Sequence, residues 1–522
     1  MQYVYKAKKI LPHSFSFWLL AVLALLLTIE GCYELFLMPP AADDAAPPSQ
    51  SQVATLQAPR MPLGAGVPTS LNMGMPGAPT SITSLQAPRT AASVKHFTLT
   101  AQPARLALGA HATTPAWTFN GTAPGPTLRV RQGDLVIVNL VNHLSFGVTI
   151  HWHGVSVPNS ADGVAGVTQD AVKPGQTYTY RFIAKDAGMY WYHSHQFSYE
   201  ETTDGLYGML VVDPAKPTIH ADVDYSVALH EWSTDNQTTL VMNTSTGTLN
   251  VAAHPGQWVR LRIVNTTSTA SGMPQLVTLL GTRFKVVSLD GHDLYSPDWL
   301  DETPLPIATA QRYDLLFQMP THGAVSLLTS SDNQHYQTTP AAVIGQGVKP
   351  ATLPAVDQRW FDFNSYGRPT KDTITVQSHF DAAYGIVLGN QMGSSLGRMG
   401  MTYTLNGKVF PDTGMIMLKE GQLVKLHFDN KSDLYHPMHL HGHVFTVLAH
   451  NGRPLTGSPV HLDTITVPPH ESYDVAFYAN NPGIWMLHCH NFLHANWGMD
   501  MMVMYDVSTP YTVGTASGNF PD

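Results

Sequence analysis

The sequence predicts an all-β protein built from three related antiparallel sandwich or barrel domains. Three observations carry that reading. With 41 Gly and 38 Pro among 522 residues, and only 12% charged residues, the chain suits strands and turns better than long helices. At roughly 100–200 residues per domain it has length for about three. One ten-residue template also occurs three times, as GDLVIVNLVN (133–142), GQWVRLRIVN (256–265) and GQLVKLHFDN (421–430). Each copy opens on Gly and closes on Asn, and the apolar residues between them largely alternate, as in a half-buried strand. Such self-similarity marks a chain made of copies of one unit.

Residues 1–38 are the first element. Lys6, Lys8 and Lys9 precede an apolar run from Phe15 to Ile29, and apolar character resumes at Cys32, Tyr33 and Leu35–Met38. The stretch outlasts a signal-peptide core, so the expectation is an uncleaved membrane anchor with its basic end in the cytoplasm and the rest of the chain outside. A cleaved signal peptide, leaving a secreted chain, and a lipid-modified Cys32 are the alternatives. Residues 39–92 are rich in Pro, Ala, Ser, Gly and Met, with LQAPR at 56–60 and again at 85–89. They read as a flexible spacer with too little apolar surface to fold. The thioethers of Met73 and Met75 in LNMGMPG offer an alternative, copper-binding use of the segment.

The domains follow at 93–215, 216–365 and 366–510, with a tail at 511–522. The outer two share more than the template. HWHG (151–154) begins nine residues after Asn142, and HLHG (439–442) begins nine residues after Asn430. GMYWYHSH (188–195) likewise matches GIWMLHCH (483–490). The middle copy has Pro274 where the first histidine would stand and no H-x-H, so it reads as a spacer that holds its neighbours in register.

Residues i and i+2 of a strand face one way. His151/His153, His193/His195, His439/His441 and His488/His490 therefore point eight imidazoles from two related domains, and neutral imidazole suits copper, zinc, iron and nickel. Cys489 lies between His488 and His490, so alternation turns its sulfur to the opposite face. His436, His494 and Met499 are placed to meet it there. Two His, one Cys and a weak Met make a copper electron-transfer site. A net charge of −9 argues against a nucleic-acid partner, and the only two cysteines, Cys32 and Cys489, make no disulfide framework.

HWHG, YHSH, HPMHLHG and HCHNFLHANWGM resemble the four copper motifs of the multicopper oxidases, the family of laccases, ferroxidases and cuprous oxidases. The resemblance spans roughly residues 95–508. It implies three Greek-key cupredoxin-like domains and four coppers per chain. By resemblance, type 1 copper takes His436, Cys489, His494 and Met499, and type 2 takes His151 and His439. One type 3 copper takes His153, His193 and His490, and the other takes His195, His441 and His488. It further implies single-electron oxidation of a small reducing substrate at type 1 copper, transfer through Cys489 to His488 and His490, and reduction of dioxygen to water.

Asp162, in SADG, occupies the stretch where relatives carry a carboxylate near the cluster and is assigned proton delivery; the plain alternative is a turn Asp before Gly163. The chain departs from the family at Asn491 and Ala495, where many relatives carry Glu, which puts a second proton route in doubt. The expected substrate is a phenol or Cu(I). Met392, Met399 and Met401 in GNQMGSSLGRMGM (389–401) are soft ligands that favour Cu(I), whereas Met415 and Met417 read either as further ligands or as core. A dedicated cuprous or ferrous oxidase for metal tolerance and a copper-storage protein are the other readings. The chain is expected to act as a monomer.

Overall fold

The computed structural model describes residues 67–521, apart from 109–111, 235–236, 245–246, 331–334, 338, 349–358 and 396. The expected anchor, Cys32 and the first LQAPR copy lie outside the described residues. No helix among the described residues is long and apolar enough to cross a membrane.

Each template copy forms a strand, at Leu135–Asn142, Trp258–Asn265 and Leu423–Asn430. Its opening residue, Gly133, Gly256 or Gly421, turns into the strand with φ of 93°, 81° or 89°, a conformation that favours glycine. Its closing Asn is buried and makes the same contacts three times. Asn142, Asn265 and Asn430 accept the N–H two residues on (Leu144, Thr267, Ser432) at 2.8, 2.9 and 2.9 Å. They donate to the carbonyls of Val172, Ile307 and Val467 at 2.7, 2.7 and 3.0 Å. A buried amide must be satisfied, so this residue pins the template strand to the chain facing it.

Two sheets form around each copy. In the first repeat, Val94–Leu108 lies between Ala112–Phe119 and Leu135–Asn142 in one sheet, while Gly125–Arg131, Tyr207–Asp213, Gly188–His193 and His151–His153 line up in the other. The expectation of purely antiparallel sheets needs correction. Val94–Leu108 runs parallel to Leu135–Asn142, Val223–Thr234 to Trp258–Asn265, and Ala382–Ser395 to Leu423–Asn430. Between the two strands of the first pair the chain crosses to the other sheet and back, and such a crossover lets neighbours run the same way.

Register then sets the histidines. His151 stands opposite His193 in the first repeat, and His439 opposite His488 in the third. Trp152, between the first pair, faces inward onto Tyr180 and Phe182 (ring centres 5.6 and 4.9 Å), so His151 and His153 face out of that core. In the middle repeat the corresponding strand, Gln275–Leu280, is buried throughout and carries no histidine.

The free-spacer expectation fails for residues 67–92. Thr80–Ser81 pairs in parallel with Val507–Ser508, Asn72 Nδ2 donates to the carbonyls of Thr509 and Tyr511 at 2.9 Å each, and Met73 and Ile82 are buried in the main core. A handful of apolar side chains, each inserted singly and tied down by backbone hydrogen bonds, is enough to hold this segment. Met73 thus packs instead of offering a free thioether. The tail is packed as well, with Val513 bridged to Leu71 and Phe520 stacked on Phe197 at 5.2 Å.

Candidate metal centres

Two pockets lie against the two faces of the strand Ile484–Cys489 and the residue that follows it. On one side His151, His153, His193, His195, His439, His441, His488 and His490 converge, all buried. Ring centres are 3.7 Å apart for His153/His439, 3.8 Å for His151/His441, 4.6 Å for His153/His490, 5.1 Å for His193/His490 and 5.4 Å for His195/His488. Ligand atoms of His151/His439/His441, of His195/His441/His488 and of His151/His153/His193 fall within 4.8 Å of one another in each group.

The ring nitrogens show what the cluster lacks. His151 and His439 donate Nδ1–H to the carbonyls of Asp162 (2.9 Å) and Asp463 (2.8 Å), and His193 donates to the carbonyl of Ser194 (2.9 Å). Each therefore turns a bare Nε2 inward, and none of those three atoms has a hydrogen-bond partner. His153 is held the other way, Nε2 to Asp463 Oδ1 at 2.9 Å, leaving Nδ1 bare. Both nitrogens of His195 and of His490 lack a hydrogen-bond partner, and Nε2 of His441 and of His488 face each other at 3.0 Å. An unsatisfied buried polar atom costs about 1–3 kcal/mol. So many in one place fit a metal-binding site, with the second nitrogen of each ring setting its tautomer. Burial, reinforced by neighbouring imidazoles, holds His153, His193, His195, His441, His488 and His490 well below the ordinary imidazole range and lowers His439 as well, so the rings are in the neutral, metal-binding form.

Asp162 is buried beside this cluster, with Oδ2 3.0 Å from His441 Nδ1 and Oδ1 3.2 Å from His151 Nδ1. Burial pushes its carboxyl above the ordinary range, against the pull of His151. Asp463 holds both His153 and His439 and is clamped by Arg312 of the middle repeat. Arg312 is fully buried and donates Nη1 and Nη2 to the two carboxylate oxygens at 2.7 and 2.5 Å, and Nη2 also to the carbonyl of Asp290 at 2.9 Å. The arginine beside Asp463 keeps that carboxyl ionised, well below the usual carboxylate range despite burial. This clamp accounts for the glycine of HWHG: a Cβ on Gly154 (φ 80°) would lie 2.4 Å from Asp463 Oδ2 and 2.6 Å from Arg312 Nη2.

On the other face Cys489 Sγ is 3.7 Å from His436 Nδ1 and 3.5 Å from His494 Nδ1, with all three residues buried. The outer nitrogens are engaged: His436 Nε2 with Ser432 Oγ at 2.8 Å, and His494 Nε2 with the middle-repeat carbonyl of Ala270 at 3.1 Å. Both Nδ1 atoms are thereby aimed at the sulfur. Tyr403 stacks on the His494 ring at 3.9 Å. Met499 is buried; its carbonyl accepts from Cys489 N at 3.0 Å, and its N–H donates to the His494 carbonyl at 3.1 Å. Burial pushes the Cys489 thiol up, so the thiolate forms only with a metal. Thiol plus imidazoles is a donor set for copper.

Eleven of the twelve expected ligands are thus gathered at two adjacent places, and the twelfth, Met499, is tied to the second place through its backbone bonds to Cys489 and His494. Asn491, which departs from the family, caps the short helix Phe492–Asn496: Oδ1 accepts from Leu493 N, and the side chain also bonds the middle-repeat Thr269 carbonyl and Ser268. A neutral amide can donate to that carbonyl; a carboxylate cannot. Sequence reasoning missed Arg312, Asp463 and Ala270. The one available signal was Asp463 set in the largely apolar run VHLDTITV (460–467); Arg312, in TAQRYD, carried none.

The hairpin Ala382–Ser395/Arg398–Leu405 latches onto the same helix. Arg398 donates to the Asn496 carbonyl at 2.6 Å and covers the Trp497 ring, and a Cβ on Gly400 would meet that ring at 2.8 Å. Met392 pairs with Met401, Met399 stands two residues away on the same face, and they are 72%, 37% and 77% exposed. The methionine face therefore points away from Trp497. Met415 and Met417 are exposed too, while Ile416 between them is buried, which rules out the core reading for that pair.

Models of the multicopper oxidase family match residues 100–217 and 369–509. The chain is 28% identical to multicopper oxidase MmcO of Mycobacterium tuberculosis, over 78% of this chain and 86% of that protein. It is 29% identical to Laccase-1 of Botryotinia fuckeliana, over 77% and 81%. The crystal structure of a multi-copper oxidase from Pseudomonas thermotolerans superposes with a TM-score of 0.63 at 27% identity, covering 79% of this chain and 99% of that one. The stretches the family models recognise are the outer, histidine-bearing repeats, and the chain belongs to the multicopper oxidase family.

Proposed function

We propose that this copper-dependent oxidoreductase takes single electrons from a phenol or from Cu(I) at the Cys489 pocket and delivers them to dioxygen at the eight-histidine cluster, yielding two waters. Copper supplies the one-electron acceptance and the dioxygen chemistry. His436, Cys489, His494 and Met499 would hold the type 1 ion, and His151 and His439 the type 2 ion. His153, His193 and His490 would hold one type 3 ion, and His195, His441 and His488 the other. The domains are proposed at 93–215, 216–365 and 366–510, tethered outside the cytoplasm through residues 1–38.

The observation that carries this reading is that Cys489 faces one pocket while the residues bonded to it on either side face the other. The backbone from Cys489 to His488 and His490 is the shortest covalent path between the pockets. Asp162 orients His151 and His441, and we assign it proton delivery to the same cluster. Oxygen uptake with a phenol, Cu(I) and Fe(II) in turn tests the proposal: uptake with none of them by the copper-loaded chain would defeat it.

A second reading, a dedicated cuprous oxidase, is favoured by the three thioethers on one exposed hairpin face, since thioether is a soft donor for Cu(I). Replacing Met392, Met399 and Met401 together with Leu keeps volume and apolarity, so the fold should hold. KM for Cu(I) should rise and that for a phenol should not. An unchanged ratio of kcat/KM for the two substrates would leave the methionines without a substrate role.

A further inference from the structure

The Cys489 pocket is closed to solvent, which limits where an electron can enter it. His436, Cys489, His494 and Met499 are all 0% exposed. His436 turns its outer nitrogen to Ser432 Oγ, itself buried. Among the described residues, two routes lead outward, both from His494. Its Nε2 edge meets the Ala270 carbonyl at 3.1 Å, and Ala270 is exposed. Its ring face is covered by Tyr403, with ring centres 3.9 Å apart and planes at 22°.

Tyr403 belongs to the hairpin that carries the exposed methionines. The register pairs Leu405 with Leu388, Tyr403 with Asn390, Met401 with Met392 and Met399 with Ser394. Directly opposed residues share a face of a sheet, and so do residues two apart, so these four rungs make one face. It starts in the core at Leu405 and Leu388 and ends at the exposed Met392 and Met399. Neighbouring rungs touch: Asn390 Nδ2, from the Tyr403 rung, donates to Met401 Sδ at 3.5 Å. Two residues of strand span about 7 Å, which sets the step from Met401 to Tyr403 along that face. Gly400, on the other face, lies against Trp497, and Tyr403 N donates to the Trp497 carbonyl at 3.1 Å. The end of the His494 helix is thereby fixed to the strand, with the His494 and Tyr403 rings in contact.

We propose that Tyr403 is the electron bridge into the Cys489 pocket for a soft cation held by Met392, Met399 and Met401. Cu(I) on those thioethers sends its electron through the Tyr403 ring to His494. A phenol has no affinity for thioethers and delivers across Ala270. This deepens, and rests on, the cuprous reading of the methionines. One electron leaves the Cu(I) substrate, which becomes Cu(II), and one is gained in the pocket; at Tyr403 no bond forms or breaks and no proton moves. The delocalised ring supplies the coupling, and the hydroxyl is not needed for it.

The test compares wild type, Tyr403→Phe and Tyr403→Leu. In the copper-loaded chain without dioxygen, stopped-flow loss of the thiolate–copper colour gives the rate of electron entry from Cu(I) and from a phenol. Tyr403→Leu should lower the ratio of the Cu(I) rate to the phenol rate severalfold, and Tyr403→Phe, which keeps the ring, should restore it. An unchanged ratio in Tyr403→Leu, or a ratio as low in Tyr403→Phe, overturns the bridge. Equal slowing with both donors, together with a shifted redox potential of the coloured centre, makes Tyr403 a support for His494 and overturns it too. A second readout needs neither turnover nor resident copper. Silver(I), a soft and redox-inert cation, is added to the metal-free Cys489→Ser chain, which lacks the competing thiol. It should shift the methyl NMR signals of Met392, Met399 and Met401 and, with them, the Tyr403 ring signals, identified by their absence from Tyr403→Phe. Methionine shifts without a Tyr403 shift overturn the bridge even if Tyr403→Leu does not fold. No methionine shift at all defeats the cuprous reading itself, and the bridge falls with it.

Discussion

The outer repeats and the middle repeat share one template strand and one buried Asn, yet differ in what their histidines do. In the outer repeats the histidines that follow the template are buried with ring nitrogens left bare. In the middle repeat His230 is equally buried, but both nitrogens are engaged, by Thr266 Oγ1 at 3.0 Å and the Thr203 carbonyl at 3.1 Å. Burial alone therefore does not mark a ligand, and neither does a single orphaned nitrogen, since His292 Nε2 in the middle repeat is also buried without a hydrogen-bond partner; several such nitrogens within reach of one another do. The middle repeat is also more than a spacer. It sends Arg312 to the carboxylate that holds His153 and His439, and the Ala270 carbonyl to His494. Candidate ligands from two repeats are oriented by a third.

The largest way to break this division is Arg312→Met. Asp463 would be left as an unpaired buried anion, a change that costs about 3–5 kcal/mol. Denaturation of the metal-free chain should show that loss, and type 2 copper, whose proposed ligand His439 hangs on Asp463, should be the first copper to leave. A fully stable variant with normal type 2 copper would return the middle repeat to a passive role.

Truncation comes next. A chain beginning at residue 93 gives up the buried Met73 and Ile82 and the pairing of Thr80–Ser81, and should lose about 3 kcal/mol relative to one beginning at residue 67, from burial of large apolar side chains at about 1.5–3 kcal/mol each. Equal melting temperatures would restore the free-spacer view.

The histidine contrast can be sharpened by pH. Burial lowers His230 to about 4, so between about 6.5 and 4 the unfolded chain binds a proton there that the folded chain does not. Stability of the metal-free protein should fall as pH drops through that window, and His230→Gln should remove one proton's worth of the slope. An unchanged slope would mean that His230 is not held neutral.

The smallest expected effect is Asn491→Ala, which removes a helix cap worth about 1 kcal/mol. It also frees the His494 side from the Thr269 and Ser268 contacts, so the colour of the copper-loaded protein should shift while copper content holds.

The strand-borne chemistry was legible because a period of two reports directly which side chains share a face. HWH, HSH, HLH and HCH therefore announced both pockets, and the template announced three repeats. Contacts between repeats were not legible. Arg312 and Asp463 are 151 residues apart, and nothing local says that they meet. Tyr403, within MGMTYTL, reads as one more strand residue until the fold lays its ring on His494. Residues 67–92 misled because single apolar side chains at irregular spacing carry no period. Met415 and Met417 stayed open between ligand and core because alternation says which residues share a face but not which face is inside.

If one strand serves two copper pockets from its two faces, copper stoichiometry with and without Cys489 will show it. The wild type should hold four coppers per chain and show the strong visible absorption of a thiolate–copper bond. Cys489→Ser should lose that colour, one copper and all turnover while the histidine cluster keeps the other three. A Cys489→Ser protein that stays blue and active would contradict the account.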